Sequence, residues 1–217
     1  MKSHVLMCDF DGTITVKDTA EWVLETHADG DWKALDKAYG EGRISLLECM
    51  RRQFSMVRID HEQILMELDE AIGVRPGFPD LVHMAKEAGA DFLIVSAGLD
   101  FVIDHYLDVL GVRSLVRRHS ARTKYDDGHI SFEFPPLRFQ ESTSFKDDAV
   151  RQWHLRGSEV TYIGDGIPDA DACSLADHRF VVRGSRLEAM MLQRDLEYSA
   201  FDDFMELLPT VKLILER

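Results

Sequence analysis

Cysteine is scarce in this chain: Cys8, Cys49 and Cys173 lie far apart and form no C-x-x-C pair. That pattern fits reduced, buried thiols in a cytosolic protein better than a disulfide framework. Basic residues are outnumbered, 25 Lys and Arg against 39 Asp and Glu, which leaves a net charge of −14. General nucleic-acid binding needs a basic footprint, so no nucleic-acid partner is expected. No apolar run approaches the roughly 20 residues of a bilayer span, so no membrane partner is expected either. The N-terminus passes from a single Lys2 into a strand-like segment with no small-residue cleavage site. No signal peptide is therefore expected, and the location reads as cytoplasmic. Internal repeats and low-complexity stretches are also missing. The 45% hydrophobic and 29% charged fractions are those of a soluble globular protein. At 217 residues the chain is long enough for one domain with an insertion or two modest domains.

Buried strand-like segments recur at Val5–Cys8, Asp91–Val95, Thr161–Ile163 and Arg179–Val182. Helical patterns lie between them, including Pro79–Ala88, Phe101–Leu110 and Phe145–Arg156. The alternation predicts an α/β fold: a Rossmann-like parallel sheet with helices on both faces. Asp126-Asp127-Gly128-His129, between two strand-like runs, predicts a small β-hairpin. Residues 16–75 differ, because they hold no convincing strand. They read as helices over Thr19–Thr26, Trp32–Tyr39, Ser45–Phe54 and His61–Glu70, with a capping-box signature at Ser45 and Glu48. An all-helical insertion directly after the first strand predicts a cap over a core of residues 1–15 and 76–217. Phe201, Phe204, Leu207, Leu208, Val211 and Leu215 recur at helical spacing and predict a C-terminal helix docked on that core.

The first strand ends in Asp9-Phe10-Asp11-Gly12-Thr13. In open α/β sheets ligands bind at the carboxyl edge of the strands, although Asp and Gly are also ordinary turn residues. Two acids one residue apart can divide labour, one as nucleophile and one as proton donor and acceptor. Carboxylate attack on phosphorus also needs cations. A second strand ends in Gly164-Asp165-Gly166-Ile167-Pro168-Asp169, hard oxygen ligands of the kind that suit Mg2+, or a helix cap. Ser96-Ala97-Gly98 follows a third strand and could present backbone N–H groups to a phosphate, or form a plain tight turn. Lys146 opens a helix and could supply fixed positive charge, as could a metal ion, against the acidic balance of the chain.

Taken in order, Asp9-Phe10-Asp11-Gly12-Thr13, Ser96, Lys146 and Gly164-Asp165-Gly166-Ile167-Pro168-Asp169 resemble the four motifs of the haloacid dehalogenase superfamily. The resemblance spans the chain. It implies a Mg2+-dependent phosphatase in which Asp9 is the nucleophile, forming an aspartyl-phosphate. Asp11 would protonate the leaving oxygen and then activate water, while Ser96, Ala97, Gly98 and Lys146 would bind the phosphoryl group. Asp165, Asp9 and the backbone carbonyl of Asp11 would hold the metal, and Asp169 would support that shell. A helical cap between the first and second motifs is similar to the phosphoserine phosphatase-like branch.

Phosphoserine phosphatases carry a Glu after the first motif and an Arg in the cap. Asp18 and Gln53 stand at those positions here, and Gln lacks the bidentate fork suited to a carboxylate. Several stretches are closer to the methionine-salvage 2-hydroxy-3-keto-5-methylthiopentenyl-1-phosphate phosphatases. These are Cys8–Thr15 with Asp18, Gly42-Arg43-Ile44-Ser45-Leu46, Arg75-Pro76-Gly77-Phe78, Val95–Phe101, and Ala176-Asp177 with Phe180–Arg183. One departure is that 137–145 contains no Cys, where those enzymes are Cys-rich. Asp18, Glu21, Trp22, Arg43, Arg51 and Phe54 are the candidate substrate-facing residues of the cap, although such residue types are commonly surface or packing positions. The expected partner is a small phosphorylated metabolite, bound by a monomer or homodimer. A phosphotransferase would need the same inner residues, and a non-catalytic phospho-ligand binding module remains a reading of another class.

Overall fold

In a computed structural model covering residues 3–126 and 129–216, the chain forms a six-stranded, wholly parallel sheet in the order β3-β2-β1-β6-β7-β8. The strands are β1 (His4–Cys8), β2 (Asp91–Ser96), β3 (Arg117–Ser120), β6 (Glu159–Gly164), β7 (His178–Val182) and β8 (Ser199–Phe201). Val5, Leu6, Met7 and Cys8 are all fully buried, as the continuous apolar run demands of a strand covered on both faces. The alternation of the strand divides them. Leu6 and Cys8 pack with α5 (Phe78–Glu87), α6 (Asp100–Val109) and α10 (Leu208–Leu215). Val5 and Met7 pack with α7 (Phe145–Leu155), α8 (Ala170–Leu175) and α9 (Arg186–Gln193).

Four helices intervene between β1 and α5: α1 (Thr19–His27), α2 (Trp32–Gly40), α3 (Leu46–Phe54) and α4 (His61–Ala71). The chain leaves and returns through one neck, where Thr15 bridges Val74 and the Val16 N–H donates to Gly73 O. Asp18, Asp31, Ser45 and Asp60 each cap one of these helices by accepting a backbone N–H, which explains their sharp starts. Strands β4 (Arg122–Asp126) and β5 (His129–Glu133) form an antiparallel pair. The Asp127-Gly128 turn expected between them lies outside the described residues.

Two expectations change. The strands β3 and β8 have no apolar run in sequence, because both are edge strands and β3 is the polar segment Arg117–Ser120. The C-terminal helix begins only at Leu208: Phe201 belongs to β8 and Phe204 to a short 3-10 turn. Asp203 caps that turn with its side chain, which interrupts what reads as one helical period.

Candidate active site

The chain runs outward from β1 to β2 and β3 on one side, then returns to β6 on the other before reaching β7 and β8. The sheet order therefore reverses at β1 and β6, and ligands of open α/β sheets bind in the crevice at that point. Parallel register aligns Cys8 with both Ile94 and Ile163, so the residues that follow each strand emerge at one edge. Asp9, Ser96, Asp165 and the N-terminus of α7 meet there.

Lys146 is the centre of the cluster. Its Nζ lies 2.9 Å from Asp9 Oδ2 and 2.7 Å from Asp169 Oδ1, and it is almost fully buried. Asp9 Oδ1 accepts the Phe10 N–H at 2.8 Å. Thr13 Oγ1 donates to Asp165 Oδ1 at 2.7 Å. Asp11 accepts from both the N–H and the hydroxyl of Thr19, the first residue of α1. Ser96 Oγ accepts the Gly98 N–H at 3.0 Å. A Cβ on Gly98 would fall 2.0 Å from Asp11 Oδ2, so only glycine lets the β2 loop approach the acid this closely.

Carboxylate oxygens of Asp9, Asp165 and Asp169 lie within 4.8 Å of one another. Buried like charges raise one another's pKa. Burial pushes Asp9 well above its ordinary range, with the Asp169 charge adding and Lys146 opposing. Asp165 rises to about 7, first from burial and then from Asp169. Burial pushes Asp169 up as well, but the adjacent Lys146 outweighs it and holds the carboxyl below its ordinary value. One ammonium among three acids leaves positive charge wanting, and the donors are hard oxygens, so the set fits a divalent metal ion. Asp169 has the least to offer as a ligand. Its Oδ1 accepts from Lys146 and the Tyr162 hydroxyl, and its Oδ2 accepts from the Gly166 and Asp165 N–H groups. Those four donors occupy the four lone-pair sites of a carboxylate.

The cluster forms the floor of a cavity of about 530 Å3 between the sheet edge and the cap helices, a size typical of small-molecule sites. Leu24, Trp32, Leu46, Met50 and Phe54 give it an apolar wall. Of the cap candidates, Asp18, Glu21 and Phe54 line it, as do Ala97 and Gly98. Burial and the Asp11 charge raise Asp18 to about 8, although its side chain is open to solvent through the cleft and screening there weakens the effect. Arg43, Arg51 and Trp22 do not line the cavity. Arg43 is exposed and pairs with Glu41 at 2.6 Å, so the structure turns it away from the site. Gln53 is buried and donates to Trp32 O at 3.3 Å.

Thr19, Tyr162 and Arg75 have site contacts that the sequence does not announce. Thr13 carries a weak signal, as the last residue of the first motif. Tyr162 reads only as a strand residue, and its role depends on Asp169 lying across the loop.

A family model described as haloacid dehalogenase-like hydrolase matches residues 6–174. A 2-hydroxy-3-keto-5-methylthiopentenyl-1-phosphate phosphatase of Brevibacillus brevis is 28% identical over 209 residues, covering 94% of this chain and 92% of that protein. The protein of the same name from Bacillus velezensis is 26% identical over 210 residues, covering 94% and 88%. Among solved structures, a phospho-aspartyl intermediate analogue of phosphoserine phosphatase shares the fold, with a TM-score of 0.73, 18% identity and coverage of 97% and 99%. The family match spans well over half of the chain and includes Asp9, Asp11, Ser96, Lys146, Asp165 and Asp169, and the chain belongs to the haloacid dehalogenase-like hydrolases.

Proposed function

We propose that this chain is a Mg2+-dependent phosphatase that hydrolyses a small phosphomonoester through an aspartyl-phosphate at Asp9. The observation that carries this reading is the convergence of Asp9, Asp11, Lys146 and Asp165 at the β1/β6 edge, on a cavity lined by the cap helices. The chain divides into a catalytic core, 1–15 and 76–217, and a cap, 16–75, joined at the Thr15–Val74 neck.

Asp9 Oδ attacks phosphorus, forming the acyl-phosphate bond as the ester P–O bond breaks. Lys146 and the Phe10 N–H favour the ionised form of Asp9 that this step needs. Asp11, whose carboxyl is pushed up by burial against the opposing Thr19 hydrogen bonds, gives its proton to the leaving oxygen. The resulting carboxylate then takes a proton from water, which attacks phosphorus and releases Asp9 and inorganic phosphate. Ser96, Ala97, Gly98 and Lys146 hold the phosphoryl oxygens. Asp9, Asp165 and the Asp11 carbonyl would hold Mg2+, with Asp169 positioning Lys146 and the Asp165 loop. The ion supplies the positive charge that lets a carboxylate and a phosphoryl group approach.

The cap wall supports 2-hydroxy-3-keto-5-methylthiopentenyl-1-phosphate, or a close analogue, over phosphoserine. Helices α1–α3 place Leu24, Trp32, Leu46, Met50 and Phe54 on the cavity and no Lys or Arg, and Gln53 is engaged with Trp32. A methylthio tail finds an apolar surface there, whereas an amino-acid carboxylate finds no Lys or Arg on those helices. Location in the cytoplasm fits a metabolic role of this kind.

Asp9→Asn is expected to abolish hydrolysis of a generic aryl phosphate with an unchanged circular dichroism spectrum, and excess chelator to do the same to the wild type. Activity that survives either treatment overturns the reading. Phosphate transfer to added alcohols would identify a phosphotransferase, and the absence of a beryllium-fluoride adduct at Asp9 would point to a binding module.

A further inference from the structure

Arg75 stands where the cap rejoins the core, and none of the steps above uses it. Its N–H donates to Ile14 O at 2.8 Å, beside the Thr15–Val74 bridge. Its guanidinium reaches three main-chain carbonyls: Nη2 to Gly12 at 3.0 Å, Nε to Thr13 at 3.0 Å and Nη1 to Asp202 at 2.7 Å. Charged donors make the stronger hydrogen bonds, and the planar guanidinium presents five N–H donors in a fixed fork where an ammonium has three on one nitrogen. The peptide it grips is constrained. Gly12 has φ +73°, and a Cβ there would lie 2.5 Å from Asp165 Oδ2. On either side, Asp11 faces the cavity and Thr13 holds Asp165 by its hydroxyl.

We infer that Arg75 is a positioning residue: it locks the Gly12–Thr13 turn that aims Asp11 and Thr13 at the reacting centre. The same side chain ties that turn to the cap neck and to the segment after β8. A displacement of the neck is thereby passed to the acid. The kinetic consequence rests on the phosphatase reading, but the geometric one does not.

The test compares Arg75→Ala and Arg75→Lys with the wild type. Misplacing a catalytic group by about 1 Å costs about 100-fold, so kcat for an aryl phosphate is expected to fall by that order in both variants, with KM nearly unchanged. Added guanidinium ion at low millimolar concentration is expected to restore part of the Arg75→Ala activity, which a purely structural defect would not allow. Amide hydrogen exchange is expected to rise over residues 10–16 and stay unchanged in β2 and β6. Wild-type kcat in either variant, no rescue, or unchanged exchange over 10–16 overturns the inference. If Arg75→Ala does not fold, Arg75→Lys carries the kinetic and exchange tests. An inactive wild type would refute the proposed function alone, and the exchange measurement then decides the role of Arg75.

Discussion

At the scale of single residues, the site is governed by how few positive charges face its acids. Lys146 is held between Asp9 and Asp169 with almost no solvent contact. Removing one partner of a buried charge pair costs about 3–5 kcal/mol, so Asp169→Ala should lower the unfolding free energy by that order in urea titrations. It should also abolish activity, since Lys146 loses one of its two carboxylate partners and the Asp165 loop loses its anchor. Gly98→Ala tests space instead of charge. Its Cβ would fall 2.0 Å from Asp11 Oδ2, and we expect kcat to drop by about 100-fold with little change in melting temperature. Asp165 gives a pH signature. Its carboxyl rises from 3.8 to about 7 in the metal-free fold, so the native state binds the extra proton between those values. This contribution to stability is present at low pH and lost as pH rises toward about 7. The melting-temperature difference between chelated wild type and Asp165→Asn should shrink or reverse over that interval, and Mg2+ should remove the trend.

At the scale of elements, helix α7 delivers Lys146 and has an unusually polar, buried start. Ser144 and Asp147 form a capping box, and both Asp147 and Asp148 are buried. Asp148 Oδ1 accepts the N–H groups of Arg138 and Phe139 at 2.8 and 2.9 Å, which folds the preceding loop onto the helix. Burial pushes its carboxyl up, but these bonds and the Gln152 amide outweigh that and hold it below its ordinary value. A depressed carboxyl stabilises the fold above its unfolded pKa, and that stability is lost as pH falls through the folded value. Asp148→Asn should therefore lower the melting temperature at neutral pH, and the gap to wild type should close in acid. A gap independent of pH would mean that the carboxylate charge is not what anchors the loop. The elements around this helix were legible from sequence to differing degrees. The segments β1, β2, β6 and β7 stand out because buried parallel strands are continuous apolar runs. The edge strands β3 and β8 do not, because an edge strand buries too little to need one.

At the scale of the molecule, the cap is braced from two sides. Phe54, in the cavity wall, meets Phe132 of β5 at 5.0 Å between ring centroids. Tyr125 of β4 donates to Ile59 O, and His105 of α6 pairs with Asp69 of α4. The hairpin thus acts as a strut under the substrate wall. Phe132→Ala is expected to cost about 3–5 kcal/mol and to raise KM for substrates with an apolar tail more than for inorganic-like esters. Equal KM changes for both would remove the hairpin from substrate recognition. The net charge of −14 is no obstacle to an anionic substrate at this scale, because Lys146 and the proposed Mg2+ would set the sign inside the cavity. Cys8, Cys49 and Cys173 are buried and free, in keeping with their scarcity and spacing.

The α/β alternation, the helical insertion and the acids after β1 and β6 were determined by sequence alone. They depend on local periodicity and on short motifs whose residues are neighbours in the chain. What the acids touch was decided by the tertiary structure. Thr13 reaches Asp165 across 152 positions because β1 and β6 pair in parallel register, and Arg75 reaches from the neck to Asp202 across 127. The same holds for the cap. Phe54 faces the cavity from the end of α3, whereas Arg43, in the loop between α2 and α3, pairs with Glu41. Packing of α3 into the apolar core, where Phe54 meets Phe132, makes that choice for Phe54.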